Sequence, residues 1–230
     1  MVMDITRLSG MIFDLDGTLL DSSYVWSEVD RLFLGRRGIE IPADYTKCIC
    51  TMNLEQAAVY TKDRFSLPDS TEAIIDEWKS SALSEYRDNV KAFDGAAELL
   101  KLLKANGIKT ALATASDRVF YEPALKREGL YGLLDFFSQT SEVERGKGFP
   151  DVYLHAARGL GLEACECAVF EDIPEGLRGA ELGGFVCVGA LWGVQEGDRE
   201  ELTSASDVCF SSFDEIIRRF RTAFSVINTD

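Results

Sequence analysis

Two acids and a glycine in the string Asp14-Leu15-Asp16-Gly17-Thr18 carry the most chemical information in this chain. Side chains at i and i+2 of a strand point the same way, and a turn at Gly17 would let both carboxylates converge on one point. Such a pair could meet on one metal ion and one phosphorus atom. The plainer alternative is a strand ending in a polar turn with two solvated acids. Three more strings offer chemistry: Thr114 in LATAS, Lys147 in GKGFPDVY and the acidic pair Glu171-Asp172 in VFEDIPEGLRGA. Thr114 can hydrogen-bond an anion or serve as a helix N-cap, and the Ala115 amide is expected near the N-terminus of the next helix, where the dipole favours negative charge. Lys147 alone would be read as a solvated loop lysine.

These residues need elements to hold them. Residues 10–14 (GMIFD) form an apolar run that ends in charge, as expected of a buried strand with function at its carboxyl end. Similar runs at 108–114, 168–171 and 185–189, with a shorter one at 136–140, alternate with helical patterns at 96–106, 152–160 and 175–182. Strand, helix, strand repeated in this way predicts an α/β, doubly wound, Rossmann-like parallel sheet, with ligands beyond the carboxyl ends of the strands. Residues 21–89 contain no strand pattern and read as an inserted helical domain between core segments 1–20 and 90–230. Within the insert, Val25, Val29, Leu32 and Phe33 are expected on one face, as are Ile75, Trp78, Ala82 and Tyr86, and Asp69 with Glu72 resembles a capping box. Pro123 implies a kinked or late-starting helix after Asp117, and the segment around Phe213, Ile216, Ile217 and Phe220 implies a helix packed on the sheet.

Composition restricts the partners. The 230 residues include 39 Asp and Glu against 24 Lys and Arg, a formal charge of -15 that repels nucleic acid and anionic membranes. No segment is long and apolar enough to span a bilayer, and no secretory signal is evident, so a cytoplasmic location with reduced thiols is expected. Cys48 with Cys50, and Cys165 with Cys167, lack the two-residue spacer of common zinc sites. His155, the sole histidine, is expected to be exposed and structural, without an acidic or nucleophilic partner in the four motif strings. The Gly146-Lys147-Gly148 string lacks the remaining positions of a nucleotide-binding loop.

In their order and spacing the four blocks resemble the haloacid dehalogenase superfamily, in the branch with a small helical cap of the C1 type that includes β-phosphoglucomutase and many sugar-phosphate and nucleotide phosphatases. The resemblance runs nearly end to end. It implies Asp14 as nucleophile and Asp16 as general acid and base, and it implies phosphate contacts from Thr114, Ala115 and Lys147. It also implies Mg2+ held by Asp14, Asp172 and the Asp16 backbone carbonyl, with Glu171 acting through a bound water. The substrate would be a small phosphorylated molecule, and the enzyme a monomer or weak homodimer. One departure is Gly148, where relatives usually have proline, so a more mobile Lys147 loop is expected.

Within the family, a phosphomutase needs cations for a second phosphate. By alignment, the cap arginine, cap histidine and lysine after the second motif of β-phosphoglucomutase fall at Leu54, Trp26 and Asp117, so hydrolysis is favoured over transfer. Trp26, Leu54 and Ser116 are the candidate substrate-facing residues, with Trp26 equally readable as a core tryptophan of the insert. A dehalogenase would not need Asp16. A phosphoacceptor receiver would lack the insert, and a degenerate ligand-binding member would have lost catalytic positions that are all present here.

Overall fold

The structure is a computed structural model and describes residues 4–49 and 52–227, with side chains through Ser225. It divides into two compact units, residues 1–23 with 91–230 and residues 24–90.

The larger unit is built on a sheet of six parallel strands in the order β5-β4-β1-β6-β7-β8. Its strands are β1 (Gly10–Phe13), β4 (Lys109–Thr114), β5 (Phe136–Gln139), β6 (Cys167–Glu171), β7 (Val186–Ala190) and β8 (Val208–Phe210); β2 (Leu20–Asp21) and β3 (Lys91–Ala92) form a separate antiparallel ribbon. All four residues of β1 and all five of β6 are buried, as strands covered on both faces must be. Phe13 and Phe170, side by side on these strands, stack at 4.6 Å.

The helices of this unit are α5 (Ala96–Ala105), α6 (Arg118–Arg127), α7 (Asp151–Leu160), α8 (Pro174–Leu182), α9 (Arg199–Ser204) and α10 (Phe213–Ile227). Ile12, Ala111, Ala113, Val169 and Cys187 form one core with Val152, Tyr153 and Ala156 of α7 and Leu177 and Ala180 of α8. The Rossmann-like α/β class expected from the repeated strand and helix patterns is the observed one. Two elements go beyond the pattern: β8, a half-buried edge strand too short to signal itself, and the β2–β3 ribbon, whose two residues per strand show no periodicity. Pro123 sits inside α6, which runs unbroken from Arg118.

The smaller unit contains α1 (Val25–Arg36), α2 (Tyr45–Ile49), α3 (Leu54–Phe65) and α4 (Thr71–Asp88). On α4 the buried stripe is Ile74, Trp78, Ala82 and Tyr86, so Ile74 replaces the expected Ile75; the true spacing is four residues throughout. The expected Asp69 cap is also corrected. Ser70 is the N-cap and accepts from the Ala73 amide, while Asp69 pairs with Arg37 at 3.1 Å. An arginine with two anionic partners, Asp69 and Glu77, outcompetes a backbone amide for that carboxylate. On α1, Val25, Val29 and Phe33 are buried and Leu32 is partly exposed.

Candidate active site

The adjacent central strands β1 and β6 end in Asp14 and in Glu171-Asp172, and the neighbouring β4 ends in Thr114. The parallel register aligns these ends, so residues far apart in sequence meet at one edge of the sheet. The Asp14 amide continues the ladder by donating to the Phe170 carbonyl at 2.9 Å. The chain then turns on Gly17, whose φ is +89°, and the Gly17 amide donates to the Leu20 carbonyl at 2.8 Å. A Cβ at Gly17 would overlap the Asp172 carboxylate. The glycine is therefore demanded twice, by backbone conformation and by the close approach of an acid.

Asp14 is 4% exposed and Glu171 fully buried, and Lys147 spans them. Its Nζ donates to Asp14 Oδ1 and to Glu171 Oε1, the latter at 2.7 Å. Burial pushes the Asp14 carboxyl above its usual value, with Lys147 pulling it back and Asp16 adding to the rise. Burial likewise takes Glu171 to about 8 and Asp172 to about 7. Lys147 moves the other way from a simple buried amine: burial would lower it, but the Asp14 and Glu171 carboxylates hold it above its usual value. Lys147 is thus held between two acids. Gly148 itself lies against Glu175, whose Oε1 would stand 2.8 Å from a Cβ there.

Asp16 has different company. Ser22 Oγ donates to its Oδ1 at 2.6 Å and Ser116 Oγ to its Oδ2 at 2.5 Å. Ser116, expected to face substrate, is thus engaged with Asp16. Thr114 is fully buried and its hydroxyl accepts from the Ser116 amide at 2.9 Å, holding the bend after β4. Exposed Ala115 lies in the bend just before α6, which begins at Arg118 with Asp117 as N-cap, so its amide is near that helix N-terminus.

Trp26 is 45% exposed in the first turn of α1, which excludes a fully buried core role, and Leu54 is the partly exposed first residue of α3. His155 is only partly exposed, a correction to the expected exposed side chain. Its Nδ1 lies 3.0 Å from the buried Ser138 Oγ and 3.9 Å from Glu142, and its ring meets Phe136 edge-on. One nitrogen serves both neighbours, and the serine donates to the Val152 carbonyl, so this is not a nucleophile-and-base relay. Cys165 is exposed and Cys167 buried, whereas Cys50 lies outside the described residues.

Three residues of this site are absent from the sequence candidates: Ser22, Tyr153 and Trp192. Tyr153 donates to Glu171 Oε1 at 2.7 Å. Trp192 Nε1 donates to the Thr18 carbonyl at 2.9 Å and its ring packs on Phe213 at 4.4 Å, bracing the turn after Asp16. Tyr153 lies within the string GKGFPDVY, six residues after Lys147, which is the one signal that could have pointed to it.

Oxygens of Asp14, Glu171 and Asp172 lie within 4.8 Å of one another, close enough to share an ion. The fit to a hard divalent cation rests on two observations. The donors are all carboxylate oxygens, and Glu171 Oε2 is buried with no hydrogen-bond partner among the described residues. The Asp16 carboxylate is not in this cluster.

A parallel Rossmann-like sheet with an acidic, lysine-balanced site at the carboxyl ends of its central strands is the framework of many α/β hydrolases. The family model for haloacid dehalogenase-like hydrolases matches residues 8–184, and the chain belongs to that family. Validoxylamine A 7′-phosphate phosphatase of Streptomyces hygroscopicus subsp. limoneus is 29% identical, over 89% of this chain and 94% of its own. A probable pseudouridine-5′-phosphatase of Drosophila melanogaster is 30% identical, over 79% of this chain and 81% of its own. Among solved structures, a β-phosphoglucomutase-like protein from Thermotoga maritima has a TM-score of 0.82 at 23% identity, covering 95% of this chain and 100% of that one. The protein is thus an enzyme of the haloacid dehalogenase type, with phosphatases among its relatives. No helix among its described residues is long and apolar enough to cross a membrane.

Proposed function

We propose that this enzyme is a Mg2+-dependent phosphatase that hydrolyses a small phosphate monoester through a phosphorylated Asp14. The observation that carries the proposal is the Asp14 carboxylate at the tip of β1, held by Lys147 and within reach of Glu171 and Asp172. An Asp14 oxygen attacks phosphorus in line, the bond from phosphorus to the leaving oxygen breaks, and Asp16 gives its proton to that oxygen. Asp16 then takes a proton from water as the water oxygen attacks phosphorus; the bond to Asp14 breaks, releasing phosphate and the free carboxylate.

Asp14, Asp172, the Asp16 carbonyl and Glu171 would hold the Mg2+, whose charge offsets the repulsion between carboxylate and phosphate. Lys147 places a second positive charge beside the attacking oxygen, and Thr114 at the end of β4 and Ala115 in the bend after it would supply phosphate contacts. Ser22 and Ser116 keep the Asp16 carboxylate in one orientation for both proton transfers. The 24–90 unit is assigned substrate selection, with Trp26 and Leu54 as its candidate contacts. Leu54, Trp26 and Asp117 supply none of the positive charge that a mutase needs for a second phosphate, which supports water as the acceptor.

The test is phosphate release with Mg2+ over a panel of sugar phosphates, nucleotides and small phosphorylated acids. Pseudouridine 5′-phosphate and validoxylamine A 7′-phosphate belong in the panel because relatives are named for them. Asp14→Asn should lose about 10⁴-fold or more in kcat, as removal of a covalent nucleophile does. Activity equal to the wild type would refute the mechanism.

A further inference from the structure

The Glu171 carboxylate is asymmetric. Oε1 accepts from Lys147 Nζ and from the Tyr153 hydroxyl, both at 2.7 Å, while Oε2 is buried and has no partner among the described residues. Gly176, on α8, lies so close that a Cβ there would stand 2.5 Å from Glu171 Cδ and 2.6 Å from Oε2. An isolated buried carboxylate oxygen is costly to leave unpaired.

Tyr153 is itself fully buried, and its ring meets Phe185 edge-on at 6.2 Å. Packing accounts for the ring; it does not account for the hydroxyl. The hydroxyl is placed to donate, at 2.7 Å from Glu171 Oε1. Lys147 alone would leave Glu171 free to present either oxygen, because an ammonium on a flexible stem can follow whichever one turns toward it. The second, rigid donor on α7 removes that freedom.

We infer that Tyr153 is a positioning residue for the metal site: by occupying Glu171 Oε1 jointly with Lys147, it commits Oε2 to the divalent cation or to a water bound on it. This rests on the proposed metal-dependent reading of the site and extends it to a residue on a different element. Lys147 and Tyr153 leave the same segment six residues apart, so one stretch of chain supplies both donors to one oxygen. Partners that orient a metal ligand in this way are worth about 10- to 100-fold in metal affinity or activity.

The experiment is calorimetric titration of Mg2+ into the metal-free full-length protein, without substrate. Tyr153→Phe keeps the buried ring and removes only the donor. It should weaken Mg2+ binding about 10-fold with its circular dichroism spectrum unchanged. In a Glu171→Gln background the same substitution should add less than about twofold, because the group it orients is no longer a carboxylate. Wild-type affinity in Tyr153→Phe would overturn the inference alone, as would an undiminished loss in the Glu171→Gln background, which would reveal a packing effect. A wild-type protein that binds no Mg2+ would instead overturn the metal-dependent reading and the inference together.

Discussion

Buried acids occur in both units of this molecule, and they are handled in opposite ways. At the carboxyl end of the sheet, Asp14 and Glu171 share Lys147, and Tyr153 donates to Glu171 as well. In the helical unit, Asp30 on α1 is 7% exposed, yet no hydrogen bond or ion pair reaches it among the described residues. Burial alone takes its carboxyl to about 6. The ion pairs of the helical unit, such as Arg37 with Asp69 and Glu77, are instead partly exposed. A concentrated and compensated charge cluster marks where binding and chemistry occur, whereas a single uncompensated acid is a cost borne by a small core.

The largest expected effect comes from uncompensating the cluster. Lys147→Met leaves two buried carboxylates without their cation and should cost about 3–5 kcal/mol in the metal-free protein at pH 8. Chemical denaturation would measure it. The loss should shrink at pH 5, below the raised Glu171 value of about 8, where that carboxyl takes up a proton; a variant as stable as the wild type at pH 8 would erase the contrast between the regions.

A second effect separates the regions by pH. Asp172 at about 7 and Glu171 at about 8 lie above the ordinary carboxyl values of 3.8 and 4.5. Between those limits the folded state binds more protons than the unfolded one, so stability is greatest in acid and declines as pH rises through 7 to 8. Saturating Mg2+ should remove this part of the decline, because the ion binds the deprotonated ligands of the folded state. Denaturation midpoints from pH 4 to 9, with and without Mg2+, test it, and a decline indifferent to Mg2+ would sever the link between these acids and the ion.

The smallest effect belongs to Asp30. Its raised carboxyl gives a decline between about pH 4 and 6, by the same sign argument. Asp30→Asn should abolish that decline and leave the protein about 2 kcal/mol more stable than the wild type at pH 8. Mg2+ should not alter the gain. A destabilised variant would mean that Asp30 is compensated after all.

Much of the architecture was legible in the sequence because parallel strands buried on both faces must be apolar runs, and Gly10–Phe13 and Cys167–Glu171 are such runs. Asp14, Asp16 and Asp172 stand out because each follows or ends one of them, beside a glycine or proline turn. The stripe on α4 was misplaced by one residue because Ile74 and Ile75 are adjacent and equally apolar; only packing distinguishes them. Strand β8 was lost because three half-buried edge residues carry no strong pattern.

By itself the sequence determined the α/β class, the family and the acids at the strand ends, since these follow from local periodicity and from residue types at fixed short spacing. Only the tertiary structure decided how those groups are used. Lys147 reaches Asp14 across 133 positions, Ser116 reaches Asp16 across 100, and Trp192 reaches the Thr18 carbonyl across 174. Such pairings depend on which strands lie side by side and where each loop returns. The orphan oxygen of Glu171 has the same origin, because a carboxylate becomes asymmetric only when two donors and a helix backbone surround it in space.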